Sequence, residues 1–193
     1  MPRFTTPLAT IATIAVAALA AACSDASTPV QPSPSASTPT LSTTAAPVTR
    51  LVVLSDVCDR SSFDKILGAG ACRRDGAGLT WEGFIRQLTA RGFAEAWRIT
   101  PGALELNPGE VLLTVNRGGE VHTFTEVEKF GGGIVPRLNE LSHNAWVAPE
   151  CQALSASSFI PPHGTQRDEV HGTELYQCCI HPWMRMVASV KKT

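Results

Sequence analysis

The pattern of apolar and polar positions changes after residue 78 into short apolar runs separated by turns. Asn107-Pro108-Gly109 marks one of these turns, because Asn, Pro and Gly supply the backbone conformations that tight turns require. Runs of this length and spacing favour an all-β Greek-key β-sandwich over an α/β fold. The predicted strands cover residues 84–88, 96–99, 103–106, 111–115 and 121–125, and two more flank a turn at 178–186; residues 86–96 could instead contain a helical turn.

Two further stretches have a different pattern. Residues 128–150 contain three consecutive glycines and two prolines, which predicts a long inserted loop with one helical turn at 138–141. Residues 50–78 begin with an apolar run and then place Phe63, Ile66 and Leu67 at helical spacing. We interpret residues 50–78 as an N-terminal extension packed on a main domain at 79–193.

The N-terminus has the layout of an export signal. Arg3 is followed by an apolar run over residues 8–22 and by small residues before Cys23, which predicts a signal peptide at 1–22. The residues that precede Cys23 resemble a bacterial lipobox, so we expect Cys23 to be lipidated; an ordinary signal peptide cleaved nearby and an uncleaved anchor are the alternatives. Residues 23–49 are rich in Ser, Thr, Pro and Ala and predict a disordered tether. The protein is therefore expected outside the cytoplasm, in the periplasm or beyond it.

Length and charge limit the remaining choices. A chain of 193 residues has room for one ordinary domain with accessory segments. The net charge is -1 and no dense Lys/Arg cluster occurs, which argues against nucleic acid or an anionic membrane surface as a partner. Contact with a membrane is expected only through lipid on Cys23, and we expect a monomer.

The turn at 178–186 carries the chemistry. It places Cys178, His181 and Met184 within seven residues. Thiolate, imidazole and a weak axial thioether form the trigonal copper site used for electron transfer, so this set suits copper. A second imidazole is required, and His122 is the best candidate because it lies at the end of a different predicted strand.

These residues resemble the cupredoxins, the blue copper proteins, with an amicyanin-like loop. The resemblance covers about residues 79–193 and implies a sandwich that holds one type 1 copper through His122, Cys178, His181 and Met184. Met186 lies at the longer spacing of plastocyanin-like members and stays open as the alternative axial ligand. Thr123 stands where many members have Asn, and its hydroxyl could still bridge the two ligand loops.

Only one of the adjacent residues Cys178 and Cys179 can face the metal, since successive strand residues point to opposite faces. The spacing of the ligand loop in the family that the chain resembles selects Cys178. With Cys23 lipidated, one thiolate and two disulfides then use the five other cysteines. We predict the pairs Cys58–Cys72 and Cys151–Cys179, although four cysteines allow three connectivities.

The resemblance implies an electron carrier that exchanges electrons with redox protein partners and performs no substrate chemistry. Pro182 and Trp183 beside His181 are either packing residues or an apolar rim where such a partner meets the imidazole. A copper-delivery protein is the alternative, but it would need several exposed Met or His ligands, and the chain has three Met. A multicopper oxidase would need a second cluster of His pairs, and no His-x-His pair is present.

Overall fold

The computed structural model describes residues 46–192, in which two four-stranded β-sheets and a two-stranded ribbon are accompanied by short helices. The predicted signal peptide, Cys23 and most of the tether lie outside this range. Within it, no helix combines the length and the apolar composition needed to cross a membrane. The strands are β1 Thr49–Ser55, β2 Arg98–Thr100, β3 Ala103–Leu106, β4 Val111–Asn116, β5 His122–Thr123, β6 Thr125–Val127, β7 Phe159–Ile160, β8 Thr165–Glu169, β9 Thr173–Gln177 and β10 Arg185–Val190. The helices are α1 Arg60–Leu67, α2 Trp81–Arg91, α3 Pro136–Leu141 and α4 Pro149–Gln152, with a 3-10 turn at Ala156–Ser158.

The strand order is that of a Greek-key sandwich. One sheet has the order β2-β1-β4-β8 and the other β3-β10-β9-β6, while β5 and β7 form the ribbon. β1 with β4 and β10 with β3 are parallel pairs, and the remaining pairs are antiparallel. Only Pro101 and Gly102 separate β2 from β3, so one stretch of chain supplies an edge strand to each sheet. The prediction of an all-β Greek-key sandwich is confirmed.

Strand periodicity explains the core. Along β4 buried and partly buried residues alternate, with Leu112, Thr114 and Asn116 facing inward. β10 repeats the pattern with Met186 and Ala188. Because side chains of successive strand residues point to opposite faces, each sheet buries one face against the other.

One predicted strand is wrong. Residues 84–88 lie inside helix α2, whose N-cap Thr80 accepts a hydrogen bond from the Gly83 amide at 3.2 Å. The helix ends at Gly92, which has a φ of 77° and takes the left-handed conformation that favours glycine. Phe84 and Leu88 are one helical turn apart and share the buried face, so an apolar run that fits a strand is also satisfied by a helix.

The predicted domain boundary at residue 79 also needs correction. β1 lies between β2 and β4, and its residues Thr49 to Leu54 pair in register with Val111 to Asn116. The sandwich therefore begins at β1. Only the segment after β1, with α1 and the Cys58–Cys72 disulfide, is an addition to the sheets.

The inserted segment at 128–150 is ordered by short helices, and α3 includes the helical turn predicted at 138–141. The Asn139 side chain bonds both the amide and the carbonyl of Gly133. A Cβ at Gly133 would lie 1.8 Å from the Cys179 carbonyl oxygen, so only glycine allows this close approach. The insertion thus packs directly against the turn that carries the predicted ligands.

Candidate metal centre

Three predicted ligands meet at one end of the sandwich. His122 opens β5, Cys178 directly follows β9, and His181 lies in the turn between β9 and β10. The Cys178 Sγ atom is 3.7 Å from His122 Nδ1 and 3.8 Å from His181 Nδ1. Within residues 46–192 this is the group of His, Cys, Asp or Glu side chains whose geometry could hold a metal ion. His122 and Cys178 are fully buried, and His181 is 3% exposed.

Backbone hydrogen bonds fix the turn. The Cys178 amide donates to the Met184 carbonyl at 3.0 Å, and the Met184 amide donates to the His181 carbonyl at 2.9 Å. The Thr123 amide points at the Cys178 sulfur, at 3.4 Å. The Thr123 hydroxyl accepts the Cys179 amide at 2.7 Å, so it bridges the two ligand segments as predicted.

The cysteines are arranged as the sequence predicted. Cys58 is bonded to Cys72 and Cys151 to Cys179, while Cys178 is the free thiol among the described cysteines. The Cys151–Cys179 bond ties the inserted segment to the residue beside the ligand thiol. Cys179 is thereby removed from competition for the metal.

The two candidate axial ligands are both buried, but they occupy different positions. Met184 lies inside the turn and its backbone closes the loop on Cys178. Met186 lies within β10, in register with Tyr176. Met184 therefore belongs to the same tight loop as Cys178 and His181, while Met186 belongs to the sheet. The assignment of Met184 as the axial ligand remains a prediction.

The spacing of the donor atoms fits a trigonal metal. Metal bonds of about 2.0 Å to nitrogen and about 2.3 Å to sulfur, as found for zinc, put nitrogen and sulfur roughly 3.7–3.8 Å apart at angles of about 120°. The two observed sulfur–nitrogen separations are 3.7 and 3.8 Å. Both imidazoles also present the same atom, Nδ1, to the thiol. One thiolate with two imidazoles is a donor set that favours copper.

A buried carboxylate holds the far side of His122. Asp56 Oδ2 lies 2.9 Å from His122 Nε2, and neither side chain is exposed. Burial would raise the pKa of Asp56, but the hydrogen bond and the charge of His122 outweigh it and lower the pKa to about 2. Burial likewise opposes a charge on His122, but hydrogen bonds to Asp56 and Cys178 raise its pKa to about 10. The contacts with Asp56 and Cys178 therefore favour the protonated form of His122 in the metal-free protein.

The thiol is activated by the same contacts. Burial alone would raise the pKa of Cys178, but hydrogen bonds from His122 and His181 hold it well below the ordinary value. Thiolate is the form that binds a metal. The two imidazoles thus favour the form of the Cys178 sulfur that binds a metal.

A second carboxylate faces His181. Glu120 Oε2 accepts a hydrogen bond from Trp97 Nε1 at 2.6 Å and lies 3.6 Å from His181 Nε2, too far for a direct hydrogen bond. Burial raises the pKa of Glu120, and the charge of His181 opposes that rise. Each ligand imidazole therefore has a carboxylate on the side opposite the thiol.

Aromatic residues cover His181. Its ring centre lies 5.5 Å from that of Trp183 and 6.4 Å from that of Trp97. Trp97 packs in turn on Phe84 of α2 and Phe63 of α1, at 4.6 and 5.8 Å. Trp183 is partly exposed, whereas the imidazole is not. The predicted apolar rim is thus a cover over His181, made in part by the segment after β1.

Sequence reasoning missed Asp56, Glu120 and Trp97. Asp56 is 66 residues from His122 in the chain, so no local spacing connects the two. Glu120 lies two residues before His122, in the turn between β4 and β5. Nothing in the adjacent sequence indicates that its carboxylate faces His181. Trp97 is recognisable only as a large apolar residue.

Comparison with known proteins identifies structures of one class. No protein-family model matches the chain. No curated protein gives a significant match to it. Three solved structures that the chain is similar to are cupredoxins. A purple cupredoxin from Nitrosopumilus maritimus is 14% identical over 73% of this chain and 98% of its own, with a TM-score of 0.37. The reduced Cu(I) form of an amicyanin mutant is 17% identical over 51% and 77%, with a TM-score of 0.33. Plastocyanin from Dryopteris crassirhizoma is 14% identical over 49% and 89%, also with a TM-score of 0.33. Because these TM-scores are low, the fold class rests on the strand order of this chain itself.

Proposed function

We propose that this protein is an exported electron carrier that holds one type 1 copper between His122, Cys178 and His181, with Met184 as the axial ligand. The observation that carries the proposal is the grouping of one buried thiol with two imidazoles, whose Nδ1 atoms lie 3.7 and 3.8 Å from the sulfur. Bound copper would supply one-electron chemistry between Cu(II) and Cu(I).

The chain supports such a role by holding its ligands still. Thr123 ties β5 to the ligand turn, and the Cys151–Cys179 disulfide ties the turn to the inserted segment. A site that changes little between two oxidation states needs little reorganisation when an electron moves. The partly exposed Trp183 packs on buried His181 and is our proposed contact point for a redox partner.

Copper delivery is the second candidate, and burial argues against it. Delivery requires ligands that a partner can reach and displace. His122, Cys178 and His181 are between 0 and 3% exposed, and a disulfide and two carboxylates surround them. Slow exchange of copper with a chelator is therefore expected.

Voltammetry of the copper-loaded protein tests the function. We expect one reversible one-electron wave and fast reoxidation after chemical reduction, with no loss of copper over repeated cycles. An irreversible wave, or transfer of the copper to a chelator within seconds, would favour delivery.

The axial ligand is tested by two matched substitutions. Met184→Gln is expected to shift the reduction potential strongly, because the axial thioether helps to set the potential of such a site. Met186→Gln changes a buried methionine of similar size two residues away and serves as the control. A larger shift in Met186→Gln would move the assignment to that residue.

We also propose that the protein is exported, lipidated at Cys23 and monomeric. The N-terminal sequence supports the first two points. Expression in a bacterium should place the wild-type chain in the membrane fraction and Cys23→Ser in the soluble exported fraction. Wild-type protein without attached lipid would refute the anchor and leave the copper proposal untouched.

A further inference from the structure

Two buried carboxylates behind the ligand histidines have no role in the proposal above. Asp56 lies at the end of β1, and Glu120 lies in the turn between β4 and β5. Nothing in the spacing of the copper ligands requires them. A buried carboxylate costs free energy unless its oxygens are bonded, so its contacts indicate what it is for.

Asp56 is fixed independently of any metal. Its Oδ1 atom accepts the amides of Cys58 and Gly119, and its Oδ2 atom accepts the amide of Glu120, at 3.0–3.2 Å. His122 Nε2 is the fourth partner, at 2.9 Å. A Cβ at Gly118 would fall 1.9 Å from Oδ2, so the turn closes tightly on the carboxylate. Four donors around two oxygens match an ionised carboxylate, which only accepts hydrogen bonds.

Glu120 is fixed by a tryptophan. Its Oε2 atom accepts a hydrogen bond from Trp97 Nε1, at 2.6 Å between the two atoms. The same oxygen lies 3.6 Å from His181 Nε2. The Glu120 main chain is held as well, since its carbonyl accepts the Asn116 side chain at 2.8 Å. The carboxylate cannot swing away from the imidazole without breaking the Trp97 contact.

We propose that Asp56 is a positioning residue that keeps the His122 imidazole turned with Nδ1 towards the metal, and that the charges of Asp56 and Glu120 bias the site towards Cu(II). This inference rests on the proposed copper function. A carboxylate that accepts a hydrogen bond from Nε2, as Asp56 does from His122, fixes the orientation of the ring and makes the opposite nitrogen a stronger donor. Glu120 acts on His181 through its charge, at 3.6 Å from Nε2. Two carboxylates and one thiolate carry three negative charges if all are ionised, so they favour the more highly charged Cu(II) over Cu(I).

Neutral replacements of similar shape test the charge. In Asp56→Asn and Glu120→Gln the ratio of Cu(I) to Cu(II) affinity is expected to rise about tenfold or more each, which is a positive shift of about 59 mV in a one-electron potential. Glu174→Gln is the matched control: Glu174 is a buried carboxylate bonded to Tyr176, four residues before Cys178 on β9. The reduction potential of Glu174→Gln should match that of the wild type.

The positioning of His122 can be read without copper. In 15N NMR spectra of the metal-free protein, the Nε2 proton of His122 should be slowly exchanging and far downfield. Asp56→Asn should abolish that signal, and Glu174→Gln should retain it. Because Glu120→Gln keeps an oxygen for Trp97, it gives a folded test of the charge even if Asp56→Asn unfolds.

Two results would overturn the inference: unchanged potentials in Asp56→Asn and Glu120→Gln, or an unchanged His122 signal in Asp56→Asn. Either would leave the copper function standing if wild-type protein still shows a thiolate-to-copper band. Wild-type protein that lacks the band would refute the proposed function, while the NMR comparison would still decide whether Asp56 positions His122.

Discussion

Two buried threonines provide a sharp test of the contacts around the ligand turn. Thr123 on β5 and Thr114 on β4 are both fully buried. The Thr123 hydroxyl accepts the Cys179 amide at 2.7 Å, whereas the Thr114 hydroxyl has no hydrogen-bond partner among the described residues. The substitution of Val for Thr keeps the shape and removes the hydroxyl in both cases. The structure predicts that Thr123→Val lowers the free energy of unfolding and that Thr114→Val does not.

Thr123→Val leaves a buried amide without its acceptor, which costs about 1–3 kcal/mol. For a chain of this size each kcal/mol lowers the midpoint of thermal unfolding by about 2–4 °C. Thr114→Val removes a hydroxyl that is buried without a partner, so its free energy of unfolding should equal or exceed that of the wild type by up to about 1 kcal/mol.

Urea unfolding of the metal-free protein measures both free energies under one condition. Thr123→Ser retains the hydroxyl and removes only the methyl group, so its free energy of unfolding should lie between those of the wild type and Thr123→Val. Equal destabilisation by Thr123→Val and Thr114→Val would show that the bridge to Cys179 contributes nothing. A destabilised Thr114→Val alone would reverse the assignment of the two hydroxyls.

Two further predictions concern stability. The raised pKa of His122 and the lowered pKa of Asp56 make their ion pair fully effective between the ordinary values of 3.8 and 6.5, and it is lost as the pH falls through about 2 or rises through about 10. Asp56→Asn should therefore cost the metal-free protein most in that window, about 3–5 kcal/mol, and urea unfolding at several pH values checks this; a cost that does not vary with pH would contradict it. The Cys58–Cys72 disulfide spans 14 positions, so the double variant Cys58→Ala/Cys72→Ala should lose about 3 kcal/mol in the same assay, and an unchanged stability would argue against the bond.

The grouping of Cys178, His181 and His122 was predictable because its signal is largely local. Cys178 and His181 are three residues apart, so a single turn brings them together whatever the rest of the chain does. Predicting His122 required one more step, because it lies far from Cys178 in the chain and was selected by its place at the end of a different predicted strand. The all-β class followed from short apolar runs and turn residues, which depend on local sequence as well.

Contacts between distant segments were not predictable. β1 was assigned to an extension because its partner β4 lies about 60 residues later, and parallel pairing leaves no turn signal in the sequence. The Asp56 contact with His122 follows from the same pairing, which brings the end of β1 to the turn after β4. Helix α2 replaces the strand predicted at 84–88, because apolar spacing alone does not separate a short buried helix from a strand.

The helical segment after β1 changes how the metal centre is understood. α1 and α2 supply Phe63 and Phe84, which support Trp97 and through it Glu120. From the sequence alone His181 was expected near an apolar rim, and in the structure it is buried. The added helices therefore help to shape the surroundings of the predicted copper ligands as well as the surface.

The visible spectrum of copper-loaded protein tests the central claim most directly. Cu(II) bound to the Cys178 thiolate should give an intense charge-transfer band in the wild-type protein, and Cys178→Ser should abolish it while the double variant Cys151→Ala/Cys179→Ala retains it. A wild-type protein that binds Cu(II) without colour, or a band that survives Cys178→Ser, would contradict the type 1 copper site.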